Sequence, residues 1–291
     1  MSLDRPIFIV GTGRCGSTLL HEIMARHPQL AYLSRLCSAY PAKPAINRRG
    51  MVALDWPVVG GFAQERLWPV EAWEFWEHIV SGFRNPFRDL VAADLTPPVK
   101  ARVEKVLASM LTPQRSRMLI KLTGWPRTGF VSAIFPDARY VHVIRDGRSV
   151  ASSLLNVDLW DGWRGPPTWR WGALAPALQS EWEASGKSFV VLAAIQWKLL
   201  MDSFELAKQL LPPGQLLEVR YEDLVAGSEA VIGRILEFCQ LDNPDSFRAH
   251  VRSVPMRESN RKWREGLTAA QQLAMEDALR AHLLRYGYAV G

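Results

Sequence analysis

An apolar run, Ile7-Phe8-Ile9-Val10, passes through Gly11-Thr12-Gly13-Arg14-Cys15-Gly16 directly into a helical pattern that begins Ser17-Thr18-Leu19-Leu20. This junction constrains the chain more than any other segment. A strand that enters a helix through a turn with three glycines brings its backbone close to whatever it faces, because glycine takes conformations closed to other residues. The unpaired N–H groups of the turn, added to the positive end of the helix dipole, form a cradle for an anion.

The interval from Gly11 to Gly16 matches the Walker loop G-x-x-x-x-G-K-[ST], but Ser17 stands where that loop carries lysine. The cation of the loop is Arg14 instead. Without the lysine that shares the charge of β- and γ-phosphates with magnesium, a P-loop kinase or nucleotide phosphohydrolase is disfavoured. No apolar strand ends in a clear Walker-B carboxylate either.

A chain of 291 residues with 48% hydrophobic content can bury a sizeable core and reads as a single domain over 1–291. Its 35 Lys plus Arg against 29 Asp plus Glu leave a charge of +6, which suits an anionic ligand but is spread too evenly for nucleic acid. Cys15, Cys37 and Cys239 have no paired spacing, so neither a disulfide framework nor a Cys-based metal site is supported and a reducing cytoplasm is expected. No apolar stretch approaches the roughly 18 residues a membrane span needs, and the run at 7–10 is too short for a signal peptide. A soluble protein is expected.

Residues 7–10, 118–122, 139–144 and 215–219 read as strands, and 17–26, 100–111, 148–155 and 190–211 as helices. Strands with little internal polarity separated by helices predict an α/β fold of P-loop type, a three-layer arrangement with a parallel sheet covered on both faces. Two Trp-rich insertions interrupt the alternation. One, about 55–88, holds Trp56, Trp68, Trp73 and Trp76; the other, 156–182, holds Trp160, Trp163, Trp169, Trp171 and Trp182. The second also carries Gly162, Gly165, Pro166 and Pro167, a composition for an ordered loop. Such segments serve either as lids over an acceptor site or as satellite core.

A second anion site follows the strand at 139–144, where Arg145-Asp146-Gly147-Arg148 turns into a helix near Gly147. Arg145 leaves the carboxyl end of the sheet, the edge where open α/β folds bind ligands, and Ser153 follows two helical turns later. A plain Arg145–Asp146 ion pair is the structural alternative.

Two anion sites at two strand ends, neither with a Walker lysine, resemble the sulfotransferases that use 3′-phosphoadenosine 5′-phosphosulfate (PAPS). Gly13-Arg14-Cys15-Gly16-Ser17-Thr18 is similar to that family's 5′-phosphosulfate loop, in the Arg-containing form of its bacterial and tyrosylprotein-type members. Arg145 and Ser153 keep the spacing of its 3′-phosphate motif. Tyr221-Glu222-Asp223-Leu224 resembles the segment whose tyrosine lies by the adenine. Ser259-Asn260-Arg261-Lys262-Trp263-Arg264 resembles the C-terminal loop that closes over the 3′-phosphate, which makes Arg261 and Lys262 expected contacts. Read alone, the first of these segments is a helix start with an acidic first turn and the second a solvated face. The resemblance runs from about Arg5 to Tyr288.

The resemblance implies in-line transfer of a sulfuryl group from PAPS to a hydroxyl or amine, leaving adenosine 3′,5′-bisphosphate (PAP), with no metal. Arg14 would stabilise the charge that grows at the bridging oxygen, with Lys121 as a second charge stabiliser near the transferred group. Ser17 and Thr18 would hold the 5′-phosphate. The general base departs from the family's pattern. Lys121-Leu122-Thr123 has Thr123 where the cytosolic enzymes carry the histidine of Lys-x-His, and Leu33-Ser34-Arg35 past His27-Pro28 lacks the glutamate of tyrosylprotein-type members. Asp55, Glu65, Glu71 and His78, all in the first insertion, are the candidates by region. A donor-binding protein without turnover is the further alternative. The tryptophans suit a sugar, a phenol or an apolar chain, so the acceptor expected is a small molecule, carbohydrate or peptide.

Overall fold

The apolar runs become the strands of one parallel sheet. In chain order these are β1 (Ile7–Gly11), β2 (Leu30–Tyr32), β3 (Arg117–Thr123), β4 (Arg139–Ile144) and β5 (Leu216–Arg220), arranged β2-β3-β1-β4-β5. The computed structural model describes residues 3–84, 87–158 and 160–291, so the two Trp-rich insertions include positions (85–86 and 159) outside the described residues. Ile7 to Val10 are at most 1% exposed, which is why β1 shows no polar alternation: helices cover both of its faces. The order of strands matters for the site. β1 is central, with β3 on one side and β4 on the other, so the turn that leaves β1 lies between the ends of both neighbours.

The helices depart from the expected ranges only at their ends. α1 (Ser17–Met24) stops before residue 26, and the helix expected over 100–111 is Pro97–Ala108, begun by two prolines whose fixed φ suits a first turn. The Gly147–Leu155 helix after β4 packs against Phe189–Leu210 and the C-terminal Ala269–Arg285 helix. Gly147 makes that approach feasible, since a Cβ there would stand 2.8 Å from the Trp197 ring. β2 has no counterpart in the expected strands. Three residues are too few to show a period, and what makes them a strand is complete burial against β3.

Most insertion tryptophans are core. Trp76 and Trp169 are 1% exposed and Trp160 3%, whereas Trp56, Trp68 and Trp163 stand in solvent. The first insertion holds two short helices, Gly60–Arg66 and Trp73–Ile79; the second holds a 3-10 turn at Asp161–Arg164 and runs into the Pro176–Ala184 helix. Among the described residues, no helix is long and apolar enough to cross a membrane.

Candidate active site

The turn after β1 is a run of left-handed backbone: φ is +80° at Gly13, +54° at Arg14 and +91° at Gly16. Only glycine fits at position 16, where a Cβ would lie 2.2 Å from the ring of Tyr221. Cys15 buries its side chain completely, so it offers the turn its backbone alone. Among the described residues no side chain caps α1, which leaves the N–H groups of its first turn to an external acceptor. The Gly13–Thr18 segment therefore has the backbone geometry of an anion cradle.

β3 supplies the next residues. Lys121 and Thr123 are two apart on one strand and so share a face. The Lys121 ammonium donates to Thr18 Oγ1 at 2.8 Å, and the Thr123 hydroxyl donates to Glu71 Oε1 at 2.5 Å. Trp73 Nε1 donates to the other oxygen of Glu71 at 3.0 Å, and the Lys121 ammonium lies 3.9 Å from the same carboxylate. Of the four candidate bases, folding thus brings Glu71 to the end of β3 beside the loop. Asp55 is instead paired with Arg115 at 2.9 Å, Glu65 lines a separate cleft with Arg26 and Trp68, and His78 is exposed. Behind the loop, burial and then the charge of Lys121 hold the His21 imidazole well below its ordinary pKa, so it is neutral near pH 7.

Arg145, at the end of β4, gathers a third group. Its Nε donates to Asn260 Oδ1 and its Nη2 to Ser259 Oγ, both at 2.8 Å, while Nη1 donates to the carbonyl of Arg14 at 3.0 Å. The guanidinium carbon lies 4.4 Å over the Tyr221 ring. Among the described residues Arg145 makes no ion pair; Asp146 is held at 2.8 Å by Arg148. A cation with only neutral partners suits a second anion. Ser153 accepts from Arg14 Nε at 2.9 Å and reaches Arg145 only through that residue. The Arg261 side chain is 86% exposed and Lys262 is exposed, and neither bonds to Arg145; their neighbours Ser259 and Asn260 do. Glu222, unassigned from sequence, fixes this group: its carboxylate accepts from Asn260 Nδ2 at 2.6 Å, from the Asp146 backbone at 3.2 Å and from Tyr288 at 3.1 Å.

A cavity of ≈ 490 Å³ extends from the loop past Lys121 and Glu71 to walls formed by Trp73, Trp125, Trp160 and Trp171. Buried Arg127 supports one wall, its guanidinium donating to the carbonyls of Trp125 at 2.9 Å and Phe83 at 3.2 Å; burial pulls its pKa down to about 10.

A family model described as the sulfotransferase family matches residues 6–245. An uncharacterized protein of Aquifex aeolicus is 25% identical over 81% of this chain and 26% of its own length, so the chain spans about a quarter of that relative. A sulfotransferase of Mycobacterium bovis, omega-hydroxy-beta-dihydromenaquinone-9 sulfotransferase Stf3, is 22% identical over 98% of this chain and 76% of its own. Among solved structures, sulfotransferase STF9 from Mycobacterium avium superposes with a TM-score of 0.62 at 16% identity, covering 100% of this chain and 79% of the other. A sulfotransferase domain from the curacin biosynthetic pathway gives 0.54 at 14% identity over 100% of both chains. These two likenesses establish the fold.

Proposed function

The chain belongs to the sulfotransferase family, and from that premise we propose that it moves a sulfuryl group from PAPS to the hydroxyl of a small acceptor. The observation that carries this reading is the pair of separate anion sites, one at the loop after β1 and one at Arg145, bridged by Tyr221, whose ring meets both Gly16 and the Arg145 guanidinium. ATP and GTP have no phosphate to place at the second site. The residues present fit the donor: Gly13 to Thr18 would hold its 5′-phosphate, and Arg145 with Ser259 and Asn260 its 3′-phosphate.

When bound, PAPS supplies the sulfur that gains a bond to the acceptor oxygen as its bond to the bridging phosphate oxygen breaks, that electron pair departing on PAP. Glu71 takes the acceptor's proton. Hydrogen bonds from Thr123 and Trp73 fix its carboxylate, and each oxygen keeps a lone pair free for the proton. Lys121, tethered to Thr18, and Arg14 place positive charge where negative charge grows, in a site already organised before reaction. Glu71 in this role favours turnover over storage of the donor. The mycobacterial relative is named for a hydroxylated acceptor, which supports a hydroxyl over an amine.

Titrating Arg145→Ala with PAP and with AMP tests the assignment. Losing a charge-assisted contact to the 3′-phosphate is expected to weaken PAP about tenfold or more and to leave AMP nearly unaffected. Equal losses for both nucleotides would refute it.

A further inference from the structure

Beyond the loop and Glu71, the cavity wall carries hydrogen-bond donors in excess of acceptors. Arg170 and Arg84 both line it, and each stands 3.6 Å from its paired carboxylate, Asp161 and Glu74 respectively. That separation is too long for a hydrogen bond, so neither guanidinium commits its side-chain donors to these acids. Gln196, 2% exposed, gives its oxygen to Trp160 Nε1 at 2.7 Å, while its amide nitrogen donates to no group among the described residues. Glu71, the carboxylate of this wall, is already engaged by Thr123 and Trp73.

Two half-exposed guanidiniums on one wall, each only loosely paired with its own acid, leave positive charge that favours a guest bringing oxygens and negative charge. The flat faces of Trp125, Trp160 and Trp171 surround these donors. We propose that the acceptor is a small hydroxylated aromatic acid: its ring lies among the tryptophans, its carboxylate meets Arg170 with Arg84 and Gln196, and its hydroxyl faces Glu71. The inference rests on the sulfuryl-transfer reading and adds the acceptor class to it. An arginine fork matches a carboxylate two bonds at a time, and ≈ 490 Å³ is a small-molecule volume.

Binding of para-hydroxyphenylpropionate and of its methyl ester to protein saturated with PAP, followed by calorimetry, tests this without turnover. The acid is expected to bind about tenfold or more tightly than the ester, and Arg170→Ala, with Arg84→Ala as a second variant, to bring the acid toward the ester's affinity. Acid and ester binding alike to the unmodified protein, or an equal loss of both probes in Arg170→Ala, would overturn the acceptor class and leave the transfer reading standing. PAP affinity is titrated first, and its absence in the unmodified protein would bring down both.

Discussion

Glu71 is the residue on which the proposed chemistry turns, because Thr123 cannot itself act as a base near neutral pH and its hydroxyl donates a hydrogen bond to that carboxylate. Glu71→Gln keeps an oxygen for Thr123 or Trp73 and removes the proton acceptor. Its kcat is expected to fall about a hundredfold to ten-thousandfold with PAP binding retained, and steady-state kinetics beside a PAP titration check both parts. An unchanged kcat would take Glu71 out of the chemistry. Sequence narrows the base only to four residues of one insertion. Glu71 and Thr123 are 52 positions apart, and only the folding of the insertion against the end of β3 makes them partners. The proposed 3′-phosphate site shows the same limit. The family resemblance points to Arg261 and Lys262, yet the side chains that orient Arg145 are neutral Ser259 and Asn260, steadied by Glu222.

At the scale of elements the sequence is more explicit, because β1, its turn and α1 are set by local chemistry: apolar residues buried on both faces, then glycines, then a helix start. The β4–Arg145 junction is legible for the same reason. What sequence does not carry is the strand order that puts β3 and β4 beside β1, and with them Lys121 and Arg145 on opposite sides of one loop. The loop's dependence on glycine gives a contrast between two similar substitutions. Gly16→Ala imposes a φ of +91° on alanine and drives its methyl into the Tyr221 ring, so a loss of about 1–3 kcal/mol in stability and weaker PAP binding are expected. Gly61→Ala, in the Gly60–Arg66 helix with nothing within 4 Å of its Cβ, should be neutral or gain up to about 1 kcal/mol. Urea midpoints for the two variants decide, and equal effects would mean that the loop tolerates a side chain facing Tyr221.

Across the whole molecule, burial holds several histidines below their ordinary pKa, so the unfolded chain protonates at these positions before the folded one as pH falls. His21, His27 and His142 are at most 1% exposed, and burial is the leading cause holding each below 6.5. As pH falls through 6.5 the unfolded chain takes up protons that the folded one refuses, so stability is lost on acidification, by up to about 1.4 kcal/mol per pH unit for each group. Asp89 works the other way. Burial raises its carboxyl from 3.8 to about 6, so the fold binds that proton more tightly than the unfolded chain between those values. One opposing carboxylate offsets part of the effect of three histidines, and Glu218, lowered to about 2 from 4.5 by its hydrogen bond with His142 and then by Lys208, contributes stability that is lost only below this window. The urea midpoint should therefore decline as pH is lowered from neutrality to about one unit below 6.5, with little change in m. A midpoint that is flat or rises over that interval would mean that these imidazoles gain solvent or a proton partner in the folded protein.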